Sequence, residues 1–118
     1  MTAKNGSPWS VQEAVSVYNI DNWGSGYFSV NEQVNICVSP LQGKGPGLDL
    51  THVLEEARSR GVAMPLLFRF HDLLRHRVEA INEAFGAAIT DYKYQGKYFG
   101  VFPIKVNQLR EVIEEIID

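Results

Sequence analysis

The sequence predicts an α/β protein: a small antiparallel β-hairpin region, then helices and strands in alternation. Three observations carry this expectation. Val34, Ile36 and Val38 alternate with Asn35 and Cys37, the two-residue period of a half-buried strand. From Leu48 onward, three apolar stripes of helical period are separated by two short apolar runs, giving the order α-β-α-β-α. Between these textures, residues 39–47 hold two prolines and three glycines. Alternating helices and strands require parallel strands joined by crossover helices, in an open layer or a barrel. The expected organisation is a helix-and-hairpin segment over 1–47 and an α/β segment over 48–118.

The elements follow in order. Residues 1–8 are polar, with Gly6 and Pro8, and read as a loose start. Ser10-Val11-Gln12-Glu13 matches a capping box, in which Ser and Glu satisfy each other's backbone N–H groups, so a short helix runs from about Ser10 to Val17. Asn19 to Gly26 carries Asn, Asp and two glycines around Trp23, the chemistry of a turn. Tyr27–Val30 and Val34–Val38 form the hairpin, with its turn near Asn31 and Glu32. Asp49 is an N-cap candidate for a helix with Leu50, Val53, Leu54 and Ala57 on one face, stopped at Gly61. Pro65–Phe70 reads as a buried strand. His71 to Ile89 returns to helical period, with Leu74, Val78, Ile81, Phe85 and Ala88 aligned. Tyr92 to Gly100 is aromatic and polar, and Val101–Val106 is the second strand. Asn107 is an N-cap candidate for a third stripe, Leu109, Val112, Ile113 and Ile116.

Composition narrows the function classes. The chain has 118 residues, 45% hydrophobic and 21% charged, which is ordinary globular usage. No apolar run approaches the roughly 18–20 residues of a membrane span. The first ten residues lack the apolar core of a secretory signal. Cys37 is the single cysteine, so an intrachain disulfide and a Cys-rich metal site are both excluded. The net charge of −3 disfavours a dedicated nucleic-acid binder, which carries a basic excess. A cytoplasmic protein with neither nucleic-acid nor membrane partners is expected. Two buried parallel strands do not make a stable sheet by themselves, and a βα barrel takes about 250 residues. The expectation is a part of a larger protein, or a chain whose missing layers a partner supplies.

Lys105 is the residue most open to chemistry. It stands at the C-terminal end of the second expected strand, where βα architectures place their active sites. A lysine desolvated there yields a neutral amine able to form a Schiff base with an aldehyde cofactor or carbonyl substrate. The same position also suits a solvated lysine that merely ends a strand. Other candidates are weaker. Arg69, His71, Arg75, His76 and Arg77 read as a solvated helix end. His71 and His76 are five apart, which does not align them as metal ligands on one helix face. No electropositive setting activates Cys37, which reads as a structural thiol. Trp9, Trp23, Tyr27 and Phe28 read as packing. Gly43-Lys44-Gly45-Pro46-Gly47 lacks the spacing of a phosphate loop.

Val101-Phe102-Pro103-Ile104-Lys105-Val106-Asn107-Gln108 resembles the pyridoxal-phosphate lysine segment of biosynthetic arginine decarboxylases, a fold-type III, alanine-racemase-like family. The stretches 18–28 with Val30-Asn31, then 65–70, 74–78 and 94–96, agree in the same order. The resemblance covers about residues 9–118 and only the N-terminal portion of the family's longer members. Phe102 departs from it, standing where the family usually has tyrosine. The resemblance implies the first βα units of a TIM-type (β/α)8 barrel, incomplete in this chain. It implies pyridoxal 5′-phosphate held as a Schiff base on Lys105, Mg²⁺, L-arginine converted to agmatine and CO₂ for polyamine and spermidine biosynthesis, and a homo-oligomeric full-length enzyme. The 118-residue chain alone is expected to be inactive, because no phosphate loop and no acidic partner for the pyridine nitrogen can be assigned in it. Two other readings stand beside this one. One is a same-fold decarboxylase of another basic amino acid. The other is a non-catalytic truncated paralogue that binds a full-length relative.

Overall fold

The computed structural model describes residues 9–117; the expected loose start at 1–8 lies outside them. The chain divides into two compact units, Met1–Phe68 and Arg69–Asp118.

The first unit begins with α1 (Val11–Val17), and its capping box forms as the sequence requires. Glu13 N–H donates to Ser10 Oγ at 3.2 Å, and Ser10 N–H donates to Glu13 Oε2 at 3.0 Å. The expected turn at 19–26 contains a short helix, α2 (Ile20–Gly24). Asn19 enters it in the left-handed region, and its carbonyl accepts from Asn22 and Trp23 N–H. Burial of Ile20 at 2% exposure anchors this helix, and Trp23 Nε1–H donates to the Tyr18 carbonyl at 2.9 Å. Gly24 is needed for close approach, because a Cβ there would stand 3.2 Å from Phe28 Cβ.

The hairpin is present as β1 (Phe28–Val30) and β2 (Ile36–Val38), paired antiparallel with Phe28 opposite Val38 and Val30 opposite Ile36. A third strand, β3 (Leu48–Asp49), pairs with the other edge of β2, giving the order β1-β2-β3. The Pro/Gly-rich stretch 39–47 therefore returns the chain to the sheet. Asp49 then caps α3 (Leu50–Ser59), accepting from Thr51 N–H at 2.8 Å. Gly61, at φ +77°, ends that helix as expected, with Val62 N–H donating to the Ala57 carbonyl. Ala14, Ile20, Tyr27, Cys37 and Val38 are the buried apolar residues of this unit.

The second unit holds α4 (His71–Asp91), a 3₁₀ turn (Ile104–Val106) and α5 (Arg110–Ile117). α4 and α5 pack on each other, and Val112 is buried at 8% exposure. Arg75 lies 2.8 Å from Glu115 Oε2, without hydrogen-bond alignment, and His71 Nδ1 lies 3.9 Å from Oε1.

Two expected strands are absent. Residues 65–70 are irregular, and 101–103 are irregular before the 3₁₀ turn. The α-β-α-β-α order is thereby corrected to helices joined by irregular segments. The reason is the ladder: a strand is held by hydrogen bonds to its neighbours, and a parallel one needs a second strand alongside. Among the described residues, neither segment has one. The observed sheet is wholly antiparallel.

Candidate functional site

Lys105 is presented by a segment that runs along α4. Tyr98 stacks on Phe85, ring centroids 4.0 Å apart and nearly parallel. Val101 and Phe102 share a groove with Leu74, Val78, Ile81 and Ile116. Phe102 is half-buried, whereas Val101 is 88% exposed. Pro103, which has no N–H to give a ladder, turns the chain instead: its carbonyl accepts from Val106 N–H at 3.0 Å. Asn107 N–H then donates to the Ile104 carbonyl at 3.0 Å. Lys105 sits in the middle of this turn, exposed, with no hydrogen bond or ion pair among the described residues. The buried strand end expected for it is not formed, for the same want of a ladder.

The amine of Lys105 fits the aldehyde of pyridoxal phosphate, the one covalent bond the resemblance assigns to this chain. No described residue is assigned to that group's phosphate or ring nitrogen. No three His, Cys, Asp or Glu side chains among the described residues are placed to hold a metal ion, so the residues present do not fit a Mg²⁺ site.

The most densely connected polar cluster lies elsewhere, on the first unit. The β register puts Asn31, Asn35, Cys37 and Asp49 on one face of the sheet. Asn31 Nδ2 donates to Asp49 Oδ2 at 2.7 Å, and Asn35 Nδ2 donates to the same oxygen at 3.0 Å. Asn31 Oδ1 accepts from Gln33 and Asn35 N–H, closing the hairpin turn. Asp49 thus ties that turn to the start of α3. The Asn35 amide, foremost, holds the Asp49 carboxyl down to about 2; desolvation works against this, while Thr51 N–H, Asn31 and His52 reinforce it. Burial pushes the Cys37 thiol up, the Asp49 carboxylate pushes it further, and its hydrogen bond with Asn31 opposes both. That raised thiol suits the structural role expected for Cys37. Sequence reasoning missed this cluster; two asparagines flanking a hairpin turn were its available signal. The arrangement is a lock: Asn31 Oδ1 and Asp49 Oδ1 hold backbone N–H groups, and Asp49 Oδ2 holds the two asparagine amides.

Trp23 packs tilted on Phe28 at 5.1 Å. Arg75 and His71, in the expected basic cluster, face Glu115.

No family model matches the chain. Curated relatives do. A Prochlorococcus marinus protein named biosynthetic arginine decarboxylase is 47% identical over 116 residues, 98% of this chain and 18% of that protein. The chain is a homologue of biosynthetic arginine decarboxylases. Relatives of the same name from Parasynechococcus marenigrum and Thermosynechococcus vestitus are 42% and 40% identical, each over 99% of this chain and 18% of their own length. The chain therefore spans under a fifth of the length of these decarboxylases. Among the described residues, no helix is long and apolar enough to cross a membrane.

Proposed function

We propose that this chain is the N-terminal portion of a pyridoxal-phosphate-dependent, cytoplasmic arginine decarboxylase that forms agmatine and CO₂ from L-arginine for polyamine and spermidine biosynthesis. The observation that carries the reading is the 40–47% identity to decarboxylases of that name across almost the whole chain. Residues 48–118 would contribute the first βα units of a (β/α)8 barrel within a homo-oligomer. Segments 65–70 and 101–106 would become strands there, because neighbouring strands supply the ladder each one lacks.

Pyridoxal phosphate, when bound, supplies an electron sink for the charge left at the substrate's α-carbon as CO₂ departs. The rest falls to Lys105. Its Nζ would hold the cofactor covalently through the aldehyde between turnovers. With substrate bound, the same Nζ would be a primary amine beside the reacting carbon, able to carry a proton. The 118-residue chain alone is inactive on this reading, since phosphate, ring-nitrogen and substrate contacts lie outside it.

The test is a graft of this segment into the full-length Prochlorococcus marinus relative, assayed for agmatine. The parent graft should form agmatine, and borohydride reduction should fix the cofactor on Lys105. Lys105→Ala should abolish both. A reduced adduct that maps to another lysine, or agmatine formation unchanged in Lys105→Ala, would falsify the assignment.

A further inference from the structure

We propose that the aromatic hollow at the C-terminal end of α4 is a binding site for a planar aromatic carboxylate. The hollow has a volume of about 380 Å³, within the roughly 300–1,000 Å³ of small-molecule sites. All its lining residues fall between 85 and 98. It therefore involves neither 65–70 nor 101–106, the segments whose conformation depends on neighbouring strands. Each wall is held by near neighbours in sequence. Lys93, at φ +50°, donates its N–H to the Thr90 carbonyl at 3.2 Å, and Tyr94 N–H donates to the Ile89 carbonyl at 2.9 Å. These reversed bonds close the helix and bring the chain back beside Ile89. A Cβ at Gly96 would stand 2.5 Å from Tyr94 Cε1, so the missing side chain is what lets that ring lie against the backbone. Tyr98 is fixed separately, by its nearly parallel stack on Phe85 at 4.0 Å. Ala88, the smallest lining residue, leaves the space that a longer side chain would fill.

The lining selects the ligand. Tyr92 and Tyr94 are 86% and 62% exposed, so their rings are open to a flat partner that stacks in the offset arrangement aromatic groups prefer. Of the lining residues Lys97 alone is charged. Its ammonium can donate to a carboxylate at the rim, a charge-assisted hydrogen bond. An aromatic cation would gain from the ring faces but meet Lys97 as a like charge. A flat ring carrying one negative group satisfies both the walls and the lysine.

The experiment titrates the 118-residue chain with naphthalene-2-carboxylate and follows its tyrosine ring resonances by NMR. Binding should saturate and move the rings of Tyr92, Tyr94 and Tyr98. The carboxylate should bind about three- to fivefold tighter than naphthalene-2-carboxamide, the worth of one exposed charge pair. Lys97→Gln should remove that preference and leave the amide's affinity as it was. Ala88→Leu keeps a strong helix former and fills the hollow, so it should weaken both ligands about tenfold or more. Absence of saturable binding, ring shifts confined to Tyr18 and Tyr27 of the first unit, or equal affinity for carboxylate and amide in the parent would each overturn the proposal. So would a carboxylate preference that survives Lys97→Gln, or affinities unaltered by Ala88→Leu. The lysine variant changes no helical residue, so it judges the site even if leucine at 88 disturbs α4.

Discussion

Residues 9–68 and residues 69–117 differ in what their apolar side chains find to pack against. In the first unit the sheet is antiparallel and its partners are close in sequence, so β1, β2 and β3 complete one another within about twenty residues of chain. α1 and α2 pack on β1, and α3 packs on β2 and β3. Ile20 and Val38 are almost wholly removed from water. In the second unit, α4 carries a long apolar stripe, yet Ile81 stays 42% exposed and Phe85 48% exposed. Among the described residues only Val112 there is buried. The two regions have similar apolar content. What separates them is that hairpins close locally, whereas βα units bury their faces against strands distant in sequence.

The largest break in this comparison should come from the first unit's core. Ile20→Ala should cost about 2–5 kcal/mol, a large part of what a small unit has, and residue-resolved hydrogen exchange should show β1 and β2 amides losing protection together. The matching truncation in the second unit, Phe85→Ala, removes a half-exposed ring and its stack on Tyr98, so it should cost only about 1 kcal/mol. Comparable losses at both positions would mean that the second unit has a core of its own after all.

A change of opposite sign sharpens the picture. Val34 sits in the hairpin turn at φ +62°, its N–H donating to the Asn31 carbonyl. A β-branched residue is strained there. Val34→Asn should stabilise the first unit by about 1 kcal/mol, read as a raised denaturation midpoint. No gain would show that the valine side chain's packing in the groove with Trp23 and Phe28 outweighs the backbone strain.

The last expected effect concerns Asp49 and the acid range. Its carboxyl titrates at about 2 in the folded chain against 3.8 ordinarily, so the folded state binds its proton less readily than the unfolded state. The stabilisation it brings is complete above about pH 4 and fades as pH falls towards 2. Asp49→Asn should flatten the acid limb of the stability profile of the first unit in that window and leave the second unit's exchange unaltered. An acid limb identical to the parent's would place the linkage on another carboxylate.

Much of the local structure was legible in the sequence, for reasons internal to short stretches of chain. Ser10 with Glu13, Asp49 with Thr51, and Gly61 after the α3 stripe act through hydrogen bonds spanning two to five residues, so composition and spacing suffice to place them. The hairpin was visible because Ile36 and Val38 alternate with Asn35 and Cys37, although Val34 lies in the turn, exposed, and Cys37 is buried on the other face. β3 was missed because a two-residue strand has no period, and its Asp49 carried a stronger signal as a helix cap. α2 was hidden among turn residues, and the burial of Ile20 and Gly24 sets it apart from an exposed turn. For the site, the motif around Lys105 marked the residue, while its surroundings were not readable.

By itself the sequence determined α1, α3, α4 and α5, the caps at Ser10 and Asp49, the hairpin and the kinship with decarboxylases, since each rests on residue order within a short span or along an aligned one; Asn107, expected to cap the last helix, lies outside it, because α5 begins at Arg110. The tertiary structure decided whether an apolar run becomes a strand, and at 65–70 and 101–106 it does not. A strand exists only through hydrogen bonds to a neighbour, and no property of the run itself can supply that neighbour.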